Sequence, residues 1–100
     1  MVKIVGIVGS RRPDAYSALA LQQAMERVKE LGAVTDTLDL REMQLPFCDG
    51  GSEYPGYPDV EILREKVKAA DGLILATPEY HGSVSGVLKN ALDLMSFEHL

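Results

Sequence analysis

The chain has 100 residues, a formal charge of −5 and a pI near 4.9. This is the size of one small domain, and its 46% apolar content is enough for a core and too much for a disordered chain. Basic residues do not cluster beyond Arg11-Arg12 and a few lysines spaced along helices, which argues against a nucleic-acid partner.

Val2 to Val8 is short, β-branched and nearly all apolar, the pattern of a central parallel strand. Gly6 within it can mark close packing. The run enters glycine and arginine after Val8, so it reads as a buried strand and not as a signal peptide. Ser17 to Leu31 follows with Leu19, Leu21, Ala24, Met25, Val28 and Leu31 on one helical stripe and Gln22, Gln23, Glu26, Lys29 and Glu30 opposite. Gly32 is a natural stop. Ala33 to Leu40 alternates at Val34 and Leu38 and reads as an edge strand.

Leu45 to Tyr57 carries Pro46, Gly50, Gly51, Pro55 and Gly56 and is longer than the usual connection. It is either a solvated loop or a functional or interface segment, with Tyr54 and Tyr57 as anchors or partner contacts. The single cysteine, Cys48, lies here. It has no second cysteine for a disulfide and no histidine nearby in sequence, so it reads as an ordinary thiol. Asp59 to Ala70 is a second helix with Val60, Leu63, Val67 and Ala70 inward and Pro58 at its start. Gly72 to Ala76 is a third strand, closed by Pro78. A third helix is expected from Ser85 to about Phe97, with Leu88, Ala91, Leu92 and Met95 on one stripe.

The order is β-α-β-α-β-α. Right-handed crossovers place helices on both faces of a parallel sheet. Three strands are few for an independent unit, so further strands are expected beyond those in this sequence. No run reaches the length of a membrane span, and a cytoplasmic protein is the default expectation.

Chemistry concentrates in two loops that follow strands, where open α/β sheets bind ligands. Gly9-Ser10-Arg11-Arg12 offers a tight backbone, a hydroxyl, guanidinium forks and the start of the first helix. Together these suit an anion, most plausibly phosphate, although a plain turn with exposed arginines fits the same residues. The spacing is neither that of a dinucleotide fingerprint nor that of a nucleoside-triphosphate loop.

The second loop is Thr77-Pro78-Glu79-Tyr80-His81-Gly82-Ser83. Gly82 permits positive φ, Ser83 can donate, and Tyr80 and His81 present planar surfaces to a ring. His81 is read either as an exposed packing residue or as a contact to that ring. Glu79 can set the loop's shape by accepting hydrogen bonds. No nucleophile with its base and no zinc-ligand cluster is evident, so no side chain is assigned a catalytic role. A phosphate loop beside a planar loop suits FMN, which would supply the redox chemistry itself.

Two blocks resemble the NADPH-dependent FMN reductase family. One is Gly9-Ser10-Arg11-Arg12 with the Tyr16-Ser17 helix start; the other runs from Thr77 through Asp93. The resemblance covers the whole chain. It implies a flavodoxin-like three-layer α/β/α fold with a parallel sheet in order 2-1-3-4-5. Residues 1–100 would then be the N-terminal part of a single FMN-binding domain, holding the first three of five strands. It implies that Ser10, Arg12 and the helix start hold the FMN phosphate, and that Pro78, Glu79, Tyr80 and His81 run beside the ribityl chain and isoalloxazine, with Gly82 and Ser83 close by. Lys89, Asn90 and Asp93 would organise the loop or a dimer contact.

Family members pass hydride from NAD(P)H to FMN and electrons on to small-molecule acceptors: flavins, quinones, azo dyes or oxyanions. They are usually homodimers or homotetramers. Three positions depart from the pattern. Ala15 stands where serine or threonine is common, and Ser17 could compensate. His81 stands for asparagine and Ser85 for proline. The competing expectation is a flavodoxin-type FMN carrier without NAD(P)H turnover. A phosphate-receiver module is disfavoured because no carboxylate cluster ends the first strand.

Overall fold

The structure is a computed structural model that describes residues 1–12 and 15–96. Its elements are β1 (Lys3–Val8), α1 (Tyr16–Glu30), β2 (Val34–Asp39), α2 (Pro58–Ala69), β3 (Gly72–Ala76) and α3 (Gly86–Asp93). The strands form one parallel sheet in the order β2-β1-β3. Lys3 pairs with Val34 at one end of the β1–β2 ladder, and Val8 pairs with Ala76 at the end of the β1–β3 ladder. The apolar run therefore lies in the centre and the alternating run at an edge, as their patterns predict.

Alternation along β1 divides the core between the two faces of the sheet. Val5 and Ile7 point to one face, where they pack with Leu38 and Leu40, with Leu63 and Val67 of α2, and with Leu88 and Ala91 of α3. Ile4 and Val8 point to the other and meet Ala18, Leu21, Met25 and Val28 of α1. Gly6 also faces α1: a Cβ there would lie 3.0 Å from both Leu21 Cδ1 and Met25 Sδ. Its bare backbone lets the helix settle close to the sheet. The result is three layers, α1 over sheet over α2 and α3, the first half of a flavodoxin-like arrangement.

Element ends follow local chemistry. Gly32 adopts φ 101° just after α1. Pro58 opens α2, with Asp59 and Glu61 in its first turn and Lys66 and Lys68 in its last, each favourable to the helix dipole. The third helix is shorter than its apolar stripe predicts. It starts after Ser85, which caps it, and ends at Asp93. The carbonyls at that end are captured from outside: Cys48 Sγ donates to Asp93 O (3.3 Å) and Arg64 Nε to Leu94 O (2.9 Å). Leu94 and Met95 remain buried beyond the helix. Phe97 and His99 lie outside the described residues.

Candidate FMN site at the carboxyl edge of the sheet

Both motif loops leave the sheet at the same edge and are joined to each other. Gly9 N–H donates to Ala76 O at 2.7 Å, carrying the β1–β3 ladder one step past the strands. Gly9 is required for close approach: a Cβ would lie 2.8 Å from Leu88 Cβ and 3.2 Å from Ser85 Oγ. Its φ is not positive, so the reason differs from the tight turn expected.

Ser85 is the joint between the loops, and reading the sequence as a helix start obscured this. Its hydroxyl donates a short hydrogen bond to Gly9 O and accepts the Leu88 N–H (3.2 Å) as the cap of α3. Its own N–H donates to Thr77 Oγ1 (2.9 Å). The Thr77 hydroxyl in turn donates to Pro78 O. One serine, 1% exposed, thus ties the first loop, both ends of the second loop and the start of α3 into one unit. A serine before an apolar helical run is a cap signal; a contact 76 residues away carries no sequence signal.

In the first loop Ser10 is 4% exposed, and its Oγ accepts the Arg12 N–H at 3.1 Å. This leaves the hydroxyl proton for another acceptor. Pro13 and Asp14 lie outside the described residues. Helix α1 then begins at Tyr16, with Ala15 in the cap position offering no side-chain hydrogen bond and no acidic residue in the first turn. Its free N–H groups and positive dipole end are therefore left for some other negative group. Ser17 Oγ lies in this first turn, buried and without a hydrogen-bond partner among the described residues. An unsatisfied buried hydroxyl costs about 1–3 kcal/mol, so its persistence points to a partner outside the described residues. A phosphate fits on charge and donor count: Ser10 and Ser17 hydroxyls, the helix end and the exposed Arg12.

The two arginines take different surroundings. Arg11 lines a groove with Leu40, Met43, Leu45, Phe47, Gly86, Val87 and Asn90. Arg12 is the residue whose backbone Ser10 holds.

The second loop is a tight reversal. Tyr80 and Ser83 exchange both backbone hydrogen bonds, at 3.0 and 3.1 Å, around His81 (φ 53°) and Gly82 (φ 79°). Positive φ at both central positions is the signature of a type I′ turn. Gly82 has the expected conformation. His81 occupies the left-handed region that asparagine, aspartate and histidine tolerate better than other side chains, which explains how it can stand where asparagine is common. Glu79 does not set the loop's shape. It is exposed and makes no hydrogen bond among the described residues; Thr77 and the turn's own backbone bonds do that work. Pro78 is half-buried, and Tyr80, His81, Gly82 and Ser83 are exposed around the turn. The structure thus places Ser10 and Arg12 in one loop, Ser17 in the helix turn that follows it, and residues 78–83 in the neighbouring loop.

The long loop after β2 is built, not loose. Asn90 Oδ1 accepts the Cys48 N–H (2.9 Å), and its Nδ2 donates to Pro46 O (2.9 Å). Arg64, 8% exposed, donates to Ser52 O (2.7 Å) and Leu94 O and lies 5.6 Å from the centroid of the Tyr54 ring. Asp49 Oδ1 accepts the Gly51 N–H at 2.7 Å. That bond, followed by one with Tyr54, holds the Asp49 carboxyl below its ordinary value. The Cys48 thiol bonds Asp93 O and lies 3.6 Å from Tyr54 Oη, in keeping with an ordinary structural thiol. Asn90 therefore organises this long loop and not the loop of residues 77–83, which the resemblance had it organise if it did not serve a dimer contact. Lys89 and Asp93 pair with each other at 2.6 Å along α3. Arg64 was not foreseen, because a charged residue on a helix ordinarily reads as part of its solvent face.

Among the described residues no helix is long and apolar enough to cross a membrane. Comparison with known proteins agrees with the geometry. The model of the NADPH-dependent FMN reductase family matches residues 2–100. An NAD(P)H-dependent FMN reductase of Pseudomonas aeruginosa is 41% identical over 96 residues, 95% of this chain and 50% of that protein. An FMN-dependent NADPH-azoreductase of Staphylococcus aureus is 35% identical over 97 residues, 93% of this chain and 52% of that protein. The chain thus spans about half the length of these curated relatives. In fold it is similar to the apo crystal structure of an NADH:FMN oxidoreductase, with a TM-score of 0.85 at 24% identity, over 100% of this chain and 53% of that one. Motif, strand order and matched length agree, and the chain belongs to the NADPH-dependent FMN reductase family.

Proposed function

We propose that this chain carries the FMN-holding part of an NAD(P)H-dependent oxidoreductase. The observation that carries the reading is the orphaned, buried Ser17 hydroxyl in the uncapped first turn of α1, at the sheet edge it shares with the rigid β3 loop. Ser10, Ser17 and the α1 N-terminus take the phosphate, with Arg12 adding a charge-assisted contact. Pro78, Glu79, Tyr80, His81, Gly82 and Ser83 run along the ribityl chain and ring, the turn presenting backbone where side chains would crowd. FMN, when bound, supplies the redox chemistry: NAD(P)H gives up a hydride, and two electrons with their protons go on to a small-molecule acceptor. The protein's part is to bind, orient and exclude competing reactions. Neither a nucleophile nor a general base is required of it.

The apolar β3 strand, at the margin of the sheet, also supports a larger parent domain. Leu75 is 42% exposed there, and an uncovered apolar edge is a liability that folds normally pair or cover. Two more strands would cover it and give the second wall of the flavin site. A homodimer or homotetramer is proposed for the whole protein.

The test is the visible spectrum of the purified protein with analysis of any released cofactor. The expected result is a yellow protein that releases FMN and oxidises NAD(P)H. A colourless protein that takes up no added FMN contradicts the reading. Bound FMN with NAD(P)H oxidation at background assigns the carrier function in its place.

A further inference from the structure

The second loop reaches the rest of the protein through few bonds. Residues 79–83 make no hydrogen bond among the described residues beyond the two that Tyr80 and Ser83 exchange, and Tyr80 to Ser83 are exposed. A reversal so placed is held by whatever closes its two ends. Here the Ser85 N–H closes it, donating to Thr77 Oγ1 at 2.9 Å across eight positions. Both partners reach further. The Thr77 hydroxyl proton goes to Pro78 O at 2.9 Å. The Ser85 hydroxyl proton goes to Gly9 O, the carbonyl directly before Ser10, while the same oxygen accepts the Leu88 N–H. A relay thus runs from Ser10 and Gly9 through Ser85 and Thr77 to Pro78. Gly9, Ser10 and Ser85 are buried and Thr77 is half-buried. In such surroundings hydrogen bonds in series polarise and strengthen one another. The open end of the relay is the Ser10 hydroxyl, which accepts the Arg12 N–H and keeps its own proton to donate.

We propose that Ser85 and Thr77 are positioning residues that couple the two halves of the site: a phosphate on Ser10 stiffens the Tyr80–Ser83 turn before any ring is bound. The proposal rests on the FMN reading above. Its direction follows from the bonds. A phosphate that takes the Ser10 proton fixes the segment whose Gly9 carbonyl holds the Ser85 hydroxyl. Ser85 in turn closes the reversal through Thr77. The exposed turn is the part with most freedom to lose, because it has the fewest bonds of its own to the body of the protein. Coupling of this kind is reciprocal, so a ring held on the turn tightens phosphate by the same factor.

The experiment splits the ligand in two. Lumiflavin, a flavin ring without ribityl chain or phosphate, and inorganic phosphate are titrated separately and together into the purified protein freed of flavin. Exchange of the Tyr80 and Ser83 amides is followed by NMR in the same samples. Saturating phosphate is expected to tighten lumiflavin about fivefold, the lower end of ordinary coupling between sites, and by itself to slow both amides. Thr77→Val keeps the side chain's shape, the Ser85–Gly9 bond and the cap of α3. It is expected to abolish the gain and leave phosphate affinity alone little changed. Thr77→Ser, which retains the hydroxyl, is expected to restore the gain. Ser85→Ala is expected to abolish it too; that variant also loses the helix cap, so Thr77→Val carries the test if it does not fold. Phosphate that binds and slows neither amide overturns the proposal, as does a gain retained in Thr77→Val. A protein that takes up FMN while lumiflavin and phosphate bind independently sinks the coupling and leaves the flavin reading standing. Phosphate that slows both amides, and does so only with the Thr77 hydroxyl present, in a protein that takes up no flavin upholds the coupling and sinks the flavin reading alone.

Discussion

Ser17 and His81 are each unfavourable to the isolated fold, and both lie where the ligand is proposed. The Ser17 hydroxyl is buried without a partner, and such groups are rare enough in native proteins to call for a reason. Ser17→Ala is expected to leave the flavin-free protein as stable as before or about 1 kcal/mol more stable, while weakening FMN several-fold. Thermal melts and FMN titration of the same preparation check both signs. Arg12→Ala lacks only the charge-assisted contact. It is expected to raise the FMN dissociation constant roughly tenfold to a hundredfold, equivalent to about 1.5–3 kcal/mol, with little change in turnover once fully loaded. Unchanged affinity would show that Arg12 points elsewhere. His81 is held at φ 53° by the type I′ turn. His81→Val should cost about 1–2 kcal/mol by denaturant unfolding, because a β-branched side chain clashes in that region, and His81→Asn should cost nothing.

At the scale of elements, the site's rigidity comes from cross-bonds between loops and helix α3 more than from the loops themselves. Ser85 fixes the two motif loops to each other. Asn90 and Arg64 fix the long loop to the end of α3. Asn90→Ala leaves the Cys48 N–H and Pro46 O without their partners, so a loss of about 1–3 kcal/mol is expected. Local opening should appear as faster amide exchange confined to residues 45–57; uniform exchange across the sheet would contradict a role limited to that loop.

The elements themselves were legible because hydrophobic period and punctuation agree. Gly72 to Ala76 is a strand from end to end, Val34 to Asp39 is the edge strand its alternation predicts, and Pro58 and Gly32 mark helix ends. The third helix was overextended because Leu94 and Met95 continue the apolar stripe. They are indeed buried, but in a non-helical segment whose carbonyls Arg64 and Cys48 have taken. Period reports which residues are buried, not which hydrogen bonds end a helix. The motif residues could be named from the chain. The residues that hold them in place, Thr77, Ser85 and Arg64, act across 8 to 76 positions and leave no local pattern.

At the scale of the molecule, the described fold is a three-stranded sheet with helices on both faces and both motif loops at one edge. It is half the length of its curated relatives. The proposed function requires this edge to recognise a phosphate first and a ring second. The most direct measurement is a calorimetric comparison of FMN with riboflavin, which has the same ring and ribityl chain without the phosphate. Two or more charge-assisted bonds at about 1.5–3 kcal/mol each predict that FMN binds at least about a hundredfold more tightly, with the difference largely lost in a Ser17→Ala, Arg12→Ala double variant. Riboflavin binding as tightly as FMN would contradict the account.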